Sequence, residues 1–260
     1  MLLQVRELSK NFGGLAAVKD VSFDVPQGQV TAVIGPNGAG KSTLFNLLAG
    51  FYTPTSGSVT FEGRDITRMK PHQTVGEGIA RTFQTTHLFD GATTLDNVLA
   101  ACAVRSRSHA LDAVLHTPRH RRDERRSLDT ALRELEFVGA VHLKDEIAST
   151  LPQESQKRIS LAQALATEPR LLLLDEPAAG TTDEETEAFG DLIRQVIDRG
   201  ITVCLVEHKM SMVMNLADQI VVLDHGQQIA IGTPEQIKND PLVIEAYLGA
   251  DADPTGATSC

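Results

Sequence analysis

The segment GPNGAGKS, residues 35–42, restricts the possible folds of this chain more than any other feature of the sequence. It matches the phosphate-loop pattern G-x-x-x-x-G-K-S, whose fixed positions are filled by Gly35, Gly40, Lys41 and Ser42. The preceding run VTAVI predicts a buried strand, and the leucines at positions 44, 47 and 48 follow at helical spacing. This strand–turn–helix context argues against a chance match within a glycine-rich turn. The sequence therefore predicts an α/β protein with a nucleoside triphosphate site at a strand end.

The residue types in this loop suit phosphate groups. Small residues let successive backbone N–H groups curl around the β-phosphate. Lys41 reaches the β- and γ-phosphates, and the Ser42 hydroxyl is placed to bind Mg²⁺. We therefore expect the nucleotide to contact Gly35, Pro36, Asn37, Gly38, Ala39, Gly40, Lys41, Ser42 and Thr43.

Two later segments predict side chains that act on the nucleotide. The run LLLLDEP predicts a buried strand ending at Asp175, which is placed to hold Mg²⁺, and the adjacent Glu176 is placed to polarise the attacking water. An acidic pair after an apolar strand can also simply cap a loop, but its combination with the upstream phosphate loop favours catalysis. The strand predicted by ITVCLVEH ends next to His208, at the sheet edge where ligands bind, and we expect this histidine to contact the γ-phosphate.

Composition and charge limit the kind of partner. The 260 residues carry 34 acidic and 24 basic side chains, and the resulting net charge of −10 argues against non-specific nucleic-acid binding. No apolar run approaches the length of a membrane-spanning helix, and the N-terminus has no signal-peptide layout, so we expect no direct membrane insertion. Three scattered cysteines indicate a reducing compartment. These features predict a soluble, cytosolic protein that reaches a membrane only through a partner.

The segment TPRHRRDERR carries five arginines between positions 119 and 126. An acidic partner or lipid headgroups would explain such a run. Because Asp123 and Glu124 partly offset the positive charge, we interpret the segment as a solvated helical face.

Together these motifs resemble the nucleotide-binding subunits of ABC transporters over nearly the whole chain. GPNGAGKST is similar to the family's phosphate loop, LLLLDEP to its Walker B strand, and the EH before Lys209 to its switch histidine. The resemblance implies ATP and Mg²⁺ as ligands. It also places Gln84, in RTFQ, at the Q-loop, which senses Mg²⁺ and the attacking water and contacts the membrane partner. Phe12 lies where the family stacks an aromatic ring on adenine.

The family fold is a RecA-like P-loop core with an antiparallel β subdomain and an inserted helical subdomain, and the sequence pattern agrees with it. Short strands and turns fill the first seventy residues, a helical and more polar part follows, and helices and strands alternate towards the end. We expect one ABC ATP-binding domain over residues 1–249, with the helical subdomain at about residues 88–165. Residues 250–260 are expected to form a disordered tail.

Four further segments, NFGGLAAVKDVSF, GIARTFQ, DEPAAG and NDPLVIEAYLG, resemble the ATP-binding subunit of branched-chain amino-acid importers. That resemblance implies a peripheral position on the cytoplasmic face of the cell membrane and transmembrane permease subunits as partners. It also implies a head-to-tail dimer with a second ATP-binding subunit. The identity of the solute rests on resemblance alone, because an ATPase subunit does not touch the transported molecule.

The family's signature Leu-Ser-Gly-Gly-Gln, which contacts the γ-phosphate of ATP held by the other subunit, is not intact. The helix QKRISLAQALA fixes the alignment, and the signature positions hold Leu151, Pro152, Gln153, Glu154 and Ser155. Proline removes an N–H donor, and the two glycines that allow close backbone approach are lost. A carboxylate at about 4 Å repels a phosphate charge by about 4 kcal/mol at an effective dielectric constant of about 20. We therefore expect a degenerate half-site, and a rearranged loop that still binds weakly is the alternative.

The same segment predicts its own helix start. Thr150 and Gln153 have capping-box spacing, so we expect the helix to satisfy its N-terminus with these two side chains.

A second departure from the family pattern lies in the D-loop, AAGTTDEE. Thr182 stands at a position that is usually Asp or Asn in the family, and Asp183 follows it. Communication across the dimer is expected to differ accordingly.

The leading functional hypothesis is an ATP-hydrolysing importer subunit that forms one competent and one degenerate composite site in a heterodimer. One alternative is an ATP-binding subunit with little hydrolysis of its own. Another is a soluble ABC ATPase outside transport, acting on nucleic acid or in translation. The single cassette, the net acidity and the lack of a long coiled-coil insertion count against this last hypothesis.

Overall fold

The computed structural model describes residues 1–82, 88–105 and 118–251, which divide into two compact units. The first unit combines residues 1–71 with the described residues from 173 onwards, and the second comprises residues 72–172. The predicted tail at 250–260 lies outside the described residues, apart from the last two residues of the final helix. The predicted limits of the helical subdomain stay a prediction.

The strands and helices alternate along the chain. The strands are β1 (Leu3–Phe12), β2 (Leu15–Val25), β3 (Val30–Ile34), β4 (Ser56–Phe61), β5 (Arg64–Asp65), β6 (Ile79–Arg81), β7 (Leu171–Asp175), β8 (Thr202–Val206), β9 (Gln219–Asp224) and β10 (Gln227–Gly232). The α-helices are α1 (Lys41–Leu48), α2 (Pro71–Glu77), α3 (Thr94–Cys102), α4 (Pro118–Phe137), α5 (Gln153–Ala166), α6 (Asp183–Asp198), α7 (Met210–Leu216), α8 (Pro234–Lys238) and α9 (Pro241–Asp251). Short 3₁₀ helices cover Ala103–Arg105, Val141–Leu143 and Ala148–Thr150.

The first unit contains an antiparallel sheet in the order β2-β1-β4-β5. Its register places Leu3 opposite Phe61 and Val5 opposite Val59, and all four side chains are buried. The alternation of apolar and polar residues in these strands produces one buried face. The short strands expected in the first seventy residues are therefore present.

The other sheet of the first unit is mainly parallel, and the strands of this unit follow the order β10-β9-β3-β8-β7. β3 pairs in parallel with both β8 and β9, whereas β10 is antiparallel to β9. Every residue of β3, β7 and β8 is buried, which explains why these strands are continuous apolar runs in the sequence. The loops that follow β3 and β8 consequently meet at one edge of the sheet.

The second unit is mostly helical. α3, α4 and α5 pack against one another around Val98, Leu135 and Ile159, which are fully buried. The side-chain amide of Gln163 on α5 donates to the carbonyl oxygen of Asn97 on α3 at 3.0 Å. The arginines at positions 121, 122, 125 and 126 of α4 are exposed, as expected of a solvated helical face. No helix in the described ranges is both long and apolar enough to cross a bilayer.

The capping box predicted between Thr150 and Gln153 is wrong. α5 begins at Gln153 with Pro152 as its N-cap, and no side chain caps it there. Leu151 has an extended backbone, because the residue before a proline is disfavoured in the helical region, and this keeps Thr150 outside the helix. The Thr150 hydroxyl donates instead to the carbonyl oxygen of Ile147 at 2.8 Å. Capping boxes do form at Thr182 with Glu185 and at Thr233 with Gln236.

A close backbone contact at Gly57 yields a stability prediction. Gly57 has a φ of +85°, and a Cβ there would lie 2.3 Å from the carbonyl oxygen of Glu7 on β1. Gly63 has a similar φ of +79° with nothing within 4 Å, so it is a matched control. We expect Gly63→Ala to cost about 1 kcal/mol, from the positive φ alone. Gly57→Ala should cost about 1–3 kcal/mol more, because β1 must move. Urea unfolding measures both values, and equal losses would contradict this account of the β1–β4 contact.

Candidate active site

The phosphate-loop sequence folds as a tight turn between β3 and α1. Gly35 at the start of this turn passes so close to β9 that a Cβ would lie 2.0 Å from the carbonyl oxygen of Leu223. Gly40, at the helix N-cap, has a φ of +97°, which is a conformation that glycine adopts without strain. The loop therefore exposes its backbone at the N-terminus of α1, where N–H groups and the helix dipole favour anions.

Lys41 is buried inside this loop. Its side chain is only 5% exposed, and its ammonium donates to the carbonyl oxygens of Gly35 at 2.7 Å and Pro36 at 2.8 Å. Burial lowers the pKa of Lys41, and the nearby Glu176 and Asp175 carboxylates act in the opposite direction. The structure thus brings the predicted phosphate-binding lysine and both predicted acidic residues into one electrostatic cluster.

Asp175 and Glu176 occupy the end of β7. Asp175 is 5% exposed and is the last residue of the strand. Glu176 has a φ of +48°, which is uncommon for a residue other than glycine, and its N–H donates to the carbonyl oxygen of Val206 at the end of β8. Such backbone strain persists only where surrounding contacts fix it. The two acidic side chains therefore leave β7 at a bend that is tied to the neighbouring strand.

His208 meets Glu176 directly. Its Nε2 lies 2.9 Å from Oε1 of Glu176, whose side chain is 13% exposed, while the histidine is 39% exposed. The pair connects the loop after β7 with the loop after β8. The sequence interpretation predicts separate roles for these two side chains, towards the attacking water and the γ-phosphate, and those roles stay predictions.

The sequence interpretation missed Glu207, the residue before this histidine. The Glu207 side chain is 1% exposed, and its carboxylate accepts N–H groups from Ala178 at 2.7 Å, His208 at 2.6 Å and Lys209 at 3.2 Å. A buried carboxylate requires such partners, so a glutamate that directly extends the apolar run CLV was a usable signal. Glu207 thus connects the loop after β8 to the loop after β7.

An open cavity of about 1020 Å³ lies on the outer side of the phosphate loop. Its walls include residues 35–39 and His208, together with Leu242, Glu245 and Tyr247 from α9. Burial raises the pKa of Tyr247, and a hydrogen bond with the backbone of Gly35 works against that rise. Tyr247 is a second residue at this site that the sequence interpretation missed, because nothing in NDPLVIEAYLG indicates which side chain meets the loop.

Phe12 and Gln84 are the two predicted nucleotide residues that remain. Phe12 ends β1 and is 43% exposed, with its ring 5.3 Å from that of Tyr52 in an edge-on arrangement and the Lys10 ammonium 5.0 Å from its centroid. Stacking on adenine stays a prediction. Gln84 lies outside the described residues.

The altered signature belongs to the second unit, at the start of α5. Glu154 lies in the first helical turn, and its Oε1 accepts from Nε of Arg158 at 2.8 Å. Arg158 also donates to the carbonyl oxygen of Val138 at 3.2 Å. The side chain of Gln156 donates to the carbonyl oxygen of Leu151 at 2.8 Å. Pro152, Gln153, Glu154 and Ser155 thus form a helix start held by local contacts.

Two protein-family models match parts of this chain. Residues 18–179, from β2 to the segment after Glu176, match the family model described as ABC transporter. The chain belongs to the ABC transporter family. Residues 227–253 also match a model described as branched-chain amino acid ATP-binding cassette transporter. The predicted family is therefore confirmed.

Individual relatives cover almost the entire chain. The high-affinity branched-chain amino acid transport ATP-binding protein BraF of Pseudomonas aeruginosa is 42% identical over 95% of this chain and 98% of its own. LivG of Escherichia coli K12, with the same description, is 39% identical over the same shares. Among solved structures, a nucleotide-free ATP-binding cassette from an ABC transporter superposes with a TM-score of 0.83 at 34% identity, covering 95% of this chain and 98% of that one. The ADP conformation of an ATP-binding cassette reaches 0.80 at 32% identity, with the same coverage.

These similarities confirm the predicted P-loop α/β fold of an ABC ATPase. As a member of this family, the chain binds ATP and hydrolyses it. Asp175 and Ser42 offer a carboxylate and a hydroxyl, the oxygen donors that Mg²⁺ prefers, so the donor set fits the expected metal.

The position of Phe12 yields a test of the adenine site. We expect Phe12→Leu to weaken ATP binding by about tenfold, because stacking of a base on an aromatic ring contributes about 1–3 kcal/mol. Phe51→Leu is a matched control, since Phe51 is 46% exposed and Phe12 is 43% exposed. Equilibrium binding of a fluorescent ATP analogue provides the measurement. Equal affinities for the two variants would rule out stacking on Phe12.

Proposed function

We propose that this chain is the ATP-hydrolysing subunit of a membrane importer for branched-chain amino acids. BraF and LivG are described as high-affinity branched-chain amino acid transport ATP-binding proteins, and both align with nearly all of this chain. In this proposal the chain is peripheral on the cytoplasmic face of the membrane and drives transmembrane permease subunits. The proposal that this chain itself hydrolyses ATP rests on one observation: the 2.9 Å contact between Glu176 and His208, close to the buried Lys41.

The proposed reaction is attack of water on the γ-phosphorus of ATP. A bond forms from the water oxygen to this phosphorus, the bond from the phosphorus to the β–γ bridging oxygen breaks, and ADP, inorganic phosphate and a proton are released. Lys41 exchanges its contacts with Gly35 and Pro36 for the β- and γ-phosphate oxygens, which keeps its buried charge compensated. Glu176 accepts a hydrogen bond from the water and orients it, and His208 contacts the γ-phosphate from the neighbouring loop. Asp175 and Ser42, with Gln84, would hold Mg²⁺, which supplies charge neutralisation at the phosphates when bound.

The altered signature supports the proposal that the two composite sites of the dimer differ. This chain has Lys41, Asp175, Glu176 and His208, so it can complete one site if a second ATP-binding subunit supplies an intact signature. The reciprocal site would receive Pro152 and Glu154 from this chain, with one N–H donor fewer and a carboxylate whose charge is partly offset by Arg158. A heterodimer accommodates this asymmetry, whereas a homodimer would have two damaged sites.

A second candidate function is an ATP-binding subunit with little hydrolysis of its own. The D-loop change at Thr182 favours it, as do the changes at positions 152–155 if two copies of this chain pair with each other. In that case ATP closes the dimer, and this subunit contributes little hydrolysis.

The catalytic assignment is tested with Glu176→Gln in the complex of this chain with its partner subunit. We expect the dissociation constant for ATP to change by less than about twofold and turnover to fall at least about a hundredfold, because a positioned general base contributes about 10²–10⁴. Glu187→Gln, an exposed position on α6, is the control. If Glu176→Gln leaves turnover intact and the equivalent change in the partner abolishes it, the assignment is wrong.

The signature is tested by replacing Pro152, Gln153, Glu154 and Ser155 with Ser, Gly, Gly and Gln. If these residues limit hydrolysis, the turnover of the isolated chain should rise at least about tenfold, since one lost phosphate donor costs about 10²–10³ in comparable sites. The gain should also depend on protein concentration, because each site needs two chains. No gain would favour a limiting D-loop or a missing partner over the signature.

A further inference from the structure

Lys209, which follows the switch histidine, makes contacts that the catalytic assignment does not use. Its ammonium donates to the carbonyl oxygen of Thr181 at 2.6 Å and to Oγ1 of Thr186 at 2.8 Å. Hydrogen bonds from a charged donor are stronger than those between neutral groups. The lysine therefore connects the loop after β8 to the turn and helix start that follow Glu176.

Both acceptors are themselves ordered by local contacts. The Thr186 hydroxyl donates to the carbonyl oxygen of Thr182 at 2.6 Å, which leaves its lone pairs to accept from Lys209. The N–H of Thr181 donates to the carbonyl oxygen of Ala178 at 3.3 Å. Asp183 lies 3.7 Å from the ammonium, but its fully exposed carboxylate is screened by solvent and contributes little.

Neighbouring side chains of one short segment thus hold the loop after β7 at three successive points. His208 contacts Glu176, Glu207 accepts from the N–H of Ala178, and Lys209 donates to Thr181. Glu176 has a strained φ of +48°, so its orientation depends on contacts that fix the residues after it. Of these three contacts, the one made by the charged Lys209 side chain lies furthest along the turn, at Thr181.

We propose that Lys209 is a positioning residue for ATP hydrolysis. By anchoring Thr181 and Thr186, it fixes the 177–182 turn and keeps the Glu176 carboxylate within reach of His208 and the attacking water. This inference rests on the proposed roles of Glu176 and His208. Stability depends little on Lys209, because the Thr182–Glu185 capping box and the Glu207 contacts also hold the turn.

The test compares Lys209→Met with wild type in the complex of this chain with its partner subunit, the same preparation in which Glu176→Gln is tested. We expect kcat to fall at least about tenfold, because a small misplacement of a catalytic group costs up to about a hundredfold. The KM and the dissociation constant for ATP should stay within about twofold of the wild-type values. The Lys209 ammonium contacts Thr181, Thr186 and Asp183, and none of these residues belongs to the phosphate loop. Lys209→Arg, which retains the charge and the donors, should recover most of the activity. Lys238→Met, an exposed lysine at the end of α8, is the matched control.

Two further measurements separate positioning from a general loss of structure. Amide hydrogen exchange at residues 178–186 should quicken in Lys209→Met while the urea midpoint is unchanged. In the background of Thr186→Val, the fall in kcat caused by Lys209→Met should be smaller, because one of its two acceptors is already absent.

The outcomes also distinguish this inference from the proposed function. If Glu176→Gln abolishes turnover and Lys209→Met leaves kcat unchanged, the positioning role is wrong and the catalytic assignment stands. If Glu176→Gln leaves turnover intact, the catalytic assignment itself fails. A fall in kcat matched by an equal rise in the ATP dissociation constant, or by an equal fall in Lys238→Met, would overturn the role of Lys209.

Discussion

The ammonium of Lys41 is a nearly buried positive charge, and burial of an ion is costly unless neighbouring groups compensate it. Two carbonyl oxygens of its own loop accept from it, and the carboxylates of Asp175 and Glu176 act on it from the end of β7. This compensation requires the phosphate loop and β7 to end at the same edge of the sheet. The parallel strand order β9-β3-β8-β7 satisfies that requirement and also delivers His208 from β8.

The same sheet edge explains why the loops, rather than the strands, carry the polar network. The strands β3, β7 and β8 are buried throughout, so their interiors hold apolar side chains and the functional groups follow the strand ends. At those ends the buried carboxylate of Glu207 satisfies three N–H groups, and Lys209 satisfies a carbonyl and a hydroxyl. The loop after β7 is thereby ordered by groups from β8, in the absence of regular secondary structure of its own.

Sequence patterns predicted the parts of this architecture that repeat at fixed spacing. VTAVI, LLLLD and TVCLV are strands, and the leucines after Ser42 face the core. The burial of Glu207 could have been inferred from its position after the apolar run CLV, but its partners could not. The contacts made by Lys209 and Tyr247 were not predictable either, because each depends on which residue of a distant loop lies opposite. The failure at Thr150 has a local cause: the spacing fitted a capping box, but Pro152 fixes the backbone before the helix and overrides it.

Two reasons support a degenerate signature: repulsion between the Glu154 carboxylate and phosphate, and the loss of an N–H donor and of close backbone approach. The structure weakens the first of these reasons. Arg158 pairs with Glu154 at 2.8 Å, so part of the carboxylate's charge is already offset, and a repulsion of about 4 kcal/mol for a bare carboxylate is an upper value. The pair is partly exposed, with side chains 25% and 36% accessible, and such pairs contribute about 0–1 kcal/mol. The missing N–H of Pro152 and the side chains at positions 153 and 154 are not offset in this way. The proposed difference between the two composite sites therefore depends more on the lost donor and the lost close approach of the backbone than on charge. Removing the Glu154 carboxylate alone would restore little phosphate binding.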